Sequence, residues 1–188
     1  FNELKHKKIS VNQLINCEGV ATNGYVSDRS LEVQHSQIML NVTSLFDLTK
    51  LFLDDMLTQN EGTIINIAST TAYHPIPTMA VYAATKAFVL SFTEALSVEC
   101  QGTNVQVLAI SPGATDTNFF SEGAGVSVGS KRSTDDVINT TIKALNQKKI
   151  SKIDGFGNFI NSSIVPRLLT RSGMVKVVYG IMKKTLNK

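Results

Sequence analysis

The spacing of apolar positions changes repeatedly along the chain. Short β-branched runs of four to eight residues alternate with longer stretches in which apolar residues recur every three or four positions. That alternation predicts an α/β fold built on a parallel sheet. The first strand is expected over residues 9–16, where Val11, Leu14 and Ile15 lead into the turn-like Cys17-Glu18-Gly19. From 31 to 59, Val33, Ile38, Leu45, Leu48, Phe52 and Met56 keep helical spacing, which predicts one long helix. Gly62 then opens the compact apolar run 63–68, which has the composition of a central buried strand ending in the hydroxyl cluster Ser69-Thr70-Thr71.

Pro75 and Pro77 forbid a helix immediately afterwards, but the Ala-rich segment 79–99 favours one, with Gly102 as its stop. A further strand is expected over 105–110, ending at Ser111-Pro112-Gly113. The stretch 119–130 is loop-like, with Gly123, Gly125 and Gly129, and has the texture of a lid. Ser133-Thr134-Asp135-Asp136 reads as a helix start with acids in its first turn. A last strand is expected over 150–154, and the remainder, 158–188, reads as a helical extension. There Met174, Val177, Val178, Ile181 and Met182 form an apolar side that suits packing onto the same core. No repeat or low-complexity linker interrupts the chain, so 1–188 is expected to form one domain.

Composition narrows the class. With 188 residues, 43% hydrophobic and 18% charged, the chain can bury a substantial core and is expected to be globular. No apolar run approaches the roughly 20 residues that span a bilayer, and residues 1–15 are too polar and Lys-rich for a secretory signal, so the expected compartment is cytoplasmic. The two cysteines, Cys17 and Cys100, suggest neither a disulfide framework nor a zinc site. The net charge of +3 is uneven: after Asp154 no acid occurs, while Arg167, Arg171, Lys176, Lys183, Lys184 and Lys188 remain. This basic tail is either a solvated helix face or a surface for weak peripheral contact with anionic lipid or an acidic partner. No nucleic-acid-binding signature accompanies it.

Tyr82 and Lys86 lie four apart in the Ala-rich helix and so share a face. An ammonium within ~4–6 Å of a phenol favours phenolate and lowers the tyrosine pKa by ~1–3 units, which would make Tyr82 a general acid or base for carbonyl chemistry. The spacing alone is weak evidence, since Tyr179 and Lys183 repeat it. Context separates the two: Ser69, thirteen residues before Tyr82, stands at the carboxyl end of a buried strand, where ligands of such sheets bind. Ser69 could steady charge on a substrate oxygen or could simply cap a turn. Asn41 interrupts the apolar pattern of the long helix, either as a surface residue or as the site of a kink that holds a water. His6, His35 and His74 form no cluster with carboxylates or cysteines and are expected at ordinary surface positions.

Together these residues resemble the short-chain dehydrogenase/reductase family over essentially the whole chain. The resemblance implies a Rossmann-like, doubly wound parallel sheet and places Asn41, Ser69, Tyr82 and Lys86 at four catalytic positions. By it, Tyr82 passes the proton and Lys86 tunes it and holds the nicotinamide ribose. Ser69 orients the carbonyl, and Asn41 supports a proton-relay water. Pro112-Gly113-Ala114-Thr115-Asp116-Thr117 resembles the family's Pro-Gly segment at the nicotinamide end, which makes Thr115 and Thr117 cofactor candidates, as Cys17 and Gly19 are at the first strand end. The implied cofactor is NAD or NADP, the implied substrate a small carbonyl compound or alcohol, and the implied assembly a homodimer or homotetramer.

The chain departs from the family twice. At Asn16-Cys17-Glu18-Gly19 the family usually shows Asn-Asn-Ala-Gly, so Glu18 adds bulk and negative charge beside a phosphate-bearing cofactor. A family member would also begin with a strand, a Gly-rich turn and a helix, roughly eighty residues that cradle the pyrophosphate and are absent here. Their absence, and a first residue of Phe1, fit a fragment whose first strand would present an unpaired sheet edge. The sequence therefore supports a nicotinamide-dependent oxidoreductase, with a noncatalytic, dehydrogenase-like binding or scaffold protein as the alternative.

Overall fold

The computed structural model of the chain describes residues 1–119 and 131–186. A short helix α1 (Asn2–His6) precedes strand β1 (Gln13–Asn16). Helix α2 (Leu31–Ile38) runs through a π-helical turn, Met39–Ser44, into α3 (Leu45–Gln59) and β2 (Gly62–Ile67). Then come α4 (Ala80–Glu99), β3 (Val105–Ser111), α5 (Thr134–Asn146) and β4 (Ser151–Ile153). The C-terminal part is helical: α6 (Phe156–Phe159), a π turn at Ile160–Ile164, α7 (Val165–Leu168) and α8 (Arg171–Leu186).

The four strands form one sheet in the order β1-β2-β3-β4, parallel throughout, with Ile15 opposite Ile65 and Ile65 opposite Leu108. A strand that points alternate residues to opposite faces needs cover on both when both are apolar. One face buries Ile64, Val105 and Val107 against Phe52, Leu53 and Met56 of α3 and Leu96 of α4. The other buries Ile65, Leu108 and Ile110 against Ala144 of α5. Helices thus cover both faces, and the expected doubly wound α/β class is what the chain adopts.

Three differences from the expected elements have physical causes. The first strand is four residues long rather than eight; ahead of it Lys8 takes a positive φ of 55° and the chain joins β2 only through the Asn12 carbonyl, which accepts from Thr63 N at 2.9 Å. On its outer side β1 is the sheet edge among the described residues, and Ile15 is 57% exposed there. The long helix is one rod, but it widens at Met39–Ser44, the turn that contains Asn41. Most of the expected lid, residues 120–130, lies outside the described residues.

Candidate active site

Three parallel strands end side by side, and each hands over to a segment that sequence reasoning singled out. At the end of β1, Asn16 is buried and donates to Asn66 Oδ1 at 2.8 Å and Thr49 Oγ1 at 3.0 Å, while Asn66 donates to Thr93 Oγ1 at 3.0 Å. This buried amide–hydroxyl ladder fixes where Cys17, Glu18 and Gly19 leave the sheet. At the end of β2, Ser69 caps a short 3₁₀ turn, Thr70–Tyr73, accepting from Thr71 N at 3.1 Å. At the end of β3, the Pro112 carbonyl accepts from Thr70 N at 2.9 Å, so the Pro-Gly segment lies against the serine turn.

Helix α4 brings Tyr82 and Lys86 to these strand ends, both buried. Lys86 Nζ donates to the carbonyl of Ile67 at 2.7 Å. Burial pushes its pKa down to about 8, against the opposing pull of Cys17 and Glu18, whose negative forms favour the ammonium. Gly19 packs against this group: a Cβ there would stand 3.4 Å from both Lys86 Nζ and Asn41 Oδ1.

Tyr82 is only 6% exposed, within an apolar cluster formed by Ala21, Ile76, Met79, Ala83 and the α8 residues Met174, Val178 and Met182. The ring of Phe119 lies tilted on it at 5.8 Å. Burial raises the phenol to about 12, and the neighbouring Ser69 hydroxyl only partly offsets this. The sequence expectation of a lowered tyrosine pKa is therefore reversed: burial sets the direction, while the Lys86 ammonium is engaged by the Ile67 carbonyl.

Asn41 is buried, which removes the surface-residue alternative. Its amide grips one backbone unit from both sides, accepting from Val20 N at 2.9 Å and donating to Val20 O at 2.9 Å, and it also donates to Thr85 Oγ1 at 3.1 Å. Thr85 donates onward to the Tyr82 carbonyl at 2.7 Å. Sequence reasoning missed Thr85; a hydroxyl beside Lys86 in a buried stretch of helix was its only signal.

The remaining candidates lie at the same end of the sheet with different degrees of engagement. Cys17 is exposed. Gly113 approaches Asn158 so closely that a Cβ would collide with its amide, which itself donates to Asp154 O at 2.7 Å. Thr115 Oγ1 donates to Gly113 O at 3.2 Å, and Thr117 is exposed, its hydroxyl accepting from Phe119 N at 3.4 Å. Asp154, fully buried, anchors this region by accepting from Arg132 Nε and Thr140 Oγ1, both at 2.6 Å. Glu18 keeps one buried carboxylate oxygen without a hydrogen-bond partner. His6 and His35 are exposed as expected, but His74 is half-buried, its Nδ1 lacks a partner, and burial holds its pKa below the usual imidazole value.

Comparison with known proteins places this arrangement. The family described as short chain dehydrogenase matches residues 1–127. An uncharacterized oxidoreductase from Staphylococcus epidermidis is 31% identical over 134 residues, 71% of this chain and 58% of the relative. A solved short-chain dehydrogenase from Sphingobium yanoikuyae, in complex with NADPH, is 25% identical with a TM-score of 0.74, over 88% of this chain and 64% of that one. A 4-hydroxyisoleucine dehydrogenase complexed with NADH and succinate is 26% identical with a TM-score of 0.69, over 82% of this chain and 71% of that one. The chain spans little more than half the length of the first of these relatives. Sequence match and fold agree, and the chain belongs to the short chain dehydrogenase family.

Proposed function

We propose that this chain carries the catalytic part of an NAD- or NADP-dependent oxidoreductase that interconverts a carbonyl and a secondary alcohol. The observation that carries this reading is the convergence of Ser69, Tyr82 and Lys86 on the strand ends beside Gly19. The residues present fit the nicotinamide end of such a cofactor. An ammonium has three donors, and the one hydrogen bond of Lys86 to Ile67 leaves two for a ribose hydroxyl. Gly19 keeps side-chain bulk out of that space, and Cys17, Pro112, Gly113, Thr115 and Thr117 are the remaining candidate contacts.

When bound, the cofactor supplies or accepts the hydride. In the reducing direction the Tyr82 phenol would donate its proton to the substrate's carbonyl oxygen. A pKa near 12 keeps that phenol protonated through neutral pH, the form reduction requires. Ser69, whose hydroxyl favours the ionised form of the Tyr82 phenol, is placed to hold the same oxygen. Asn41 acts as a positioning residue: both its N–H donors are spent on Val20 and Thr85, so a relay water would have to use its remaining Oδ1 lone pair or the carbonyls of the π turn.

The substrate is apolar in this reading. The walls around Tyr82 are Ala21, Ile76, Met79, Met174, Val178, Met182 and Phe119, and methionines adapt to bulky apolar shapes. An apolar stripe across α2–α4, with Ile38, Phe46 and Phe88 exposed, suits a homo-oligomer contact. The test is a turnover screen of the full-length protein with both cofactors against apolar and polar ketones of matched size. Cofactor-dependent reduction of the apolar set supports the proposal, and the absence of reduction with either cofactor contradicts it.

A further inference from the structure

We propose that the outer side of α8, together with the connection leading into it, docks this protein on an anionic lipid surface. The inner side of α8 is committed: Met174, Val178 and Met182 are buried in the Tyr82 cluster. Helical spacing sets two further rows, one along the flank of this buried side and one opposite it. Val177, Ile181 and Lys184 follow one another at i, i+4 and i+7, and Lys176, Gly180 and Lys183 form the row beside them. Val177 is 52% and Ile181 48% exposed, and all three lysines are exposed. Just ahead of the helix, Leu168, 77% exposed, and Leu169 protrude between Arg167 and Arg171.

Charge decides what this surface meets. Elsewhere lysines find carboxylates, as in Lys5–Asp55, Lys7–Glu3 and Lys50–Asp54. Among the described residues Arg167, Arg171, Lys176, Lys183 and Lys184 form no ion pair, and no acid follows Asp154 in the sequence. A second copy joined through the same face would set cations against cations, which disfavours a symmetric contact. A bilayer with anionic headgroups instead meets the ammonium groups while the intervening leucine, valine and isoleucine side chains enter the interface. Among the described residues no helix is long and apolar enough to cross a membrane, so the contact is peripheral. The inference does not depend on the catalytic reading.

The experiment is sedimentation of the full-length protein with vesicles of phosphatidylcholine alone or with about 30 mol% phosphatidylglycerol added. The expected result is binding to the anionic vesicles only, released as salt rises from about 0.05 to 0.5 M. Each lysine near such a surface is worth about a factor of five, so Lys176→Glu/Lys183→Glu/Lys184→Glu weakens binding by at least about 100-fold. Val177→Ser/Ile181→Ser weakens it without changing the salt dependence. Because wild-type salt release needs no variant, a misfolded mutant cannot hide the answer. Failure to sediment with anionic vesicles, equal sedimentation with neutral ones, or a dimer that Val177→Ser/Ile181→Ser dissolves while wild type stays off the vesicles would overturn the proposal.

Discussion

Lys86 Nζ rests 2.7 Å from the carbonyl of Ile67, the last residue of β2, and so ties the tyrosine helix to the strand that leads into Ser69. The cost of that tie is a buried ammonium. Its pKa of about 8 lies below the ordinary lysine value of 10.5 because burial disfavours the charged form. Between those two values the unfolded chain binds a proton that the folded chain does not, so the folded state gains stability as pH rises through this window.

The stability of the cofactor-free protein, followed by urea unfolding, should therefore increase from pH 7.5 to 9.5 by about 2 kcal/mol relative to Lys86→Met, which lacks the titrating group. Tyr82 opposes this trend only above its unfolded value of 10, since its folded pKa is raised to about 12. Parallel profiles for wild type and Lys86→Met would contradict the burial account of Lys86.

Glu18 stands where its charge favours the Lys86 ammonium, yet one of its oxygens is buried without a partner. Replacing it by Gln removes a negative charge from the side on which a phosphate-bearing cofactor would lie. About 1 kcal/mol of repulsion is the expected scale for a partly solvated pair, so cofactor dissociation measured by fluorescence titration should tighten about fivefold in Glu18→Gln. The same substitution should move the Lys86 stability window to lower pH. Unchanged affinity would show that Glu18 does not face the cofactor.

Gly113→Ala drives a methyl group into the Asn158 amide, which is itself held by the Asp154 carbonyl. Overpacking of this kind costs about 1–3 kcal/mol, read as a lowered melting temperature. Asn158→Gly removes the obstacle, so the double variant should recover much of the loss. Strictly additive losses would mean that the two residues do not oppose one another.

Much of the sheet was legible because its signals are local. The runs 63–68 and 105–110 became β2 and β3 with a shift of one residue at their ends. The place of Ser69 just past β2 and of Tyr82 and Lys86 on one helix was legible from strand order and helical spacing. What escaped depends on residues far along the chain. At Asn41 a local kink was one of two readings, but the grip on Val20 that accompanies the π turn lies twenty-one positions earlier and has no local signal. The direction of the Tyr82 shift depends on Met174, Val178 and Met182, whose burial against it is a tertiary event. His74 was expected at the surface for the same reason, since only the folded chain shows its Nδ1 enclosed.

The central claim is that Tyr82 is the proton donor of a carbonyl reduction, and Tyr82→Phe removes one hydroxyl while keeping the ring against Phe119. With the full-length protein and a ketone that wild type reduces, kcat and the cofactor dissociation constant should be measured side by side. The account predicts a fall in kcat of about 10²–10⁴-fold with cofactor affinity within about twofold of wild type. Turnover within about threefold of wild type would contradict it and move the proton to another group.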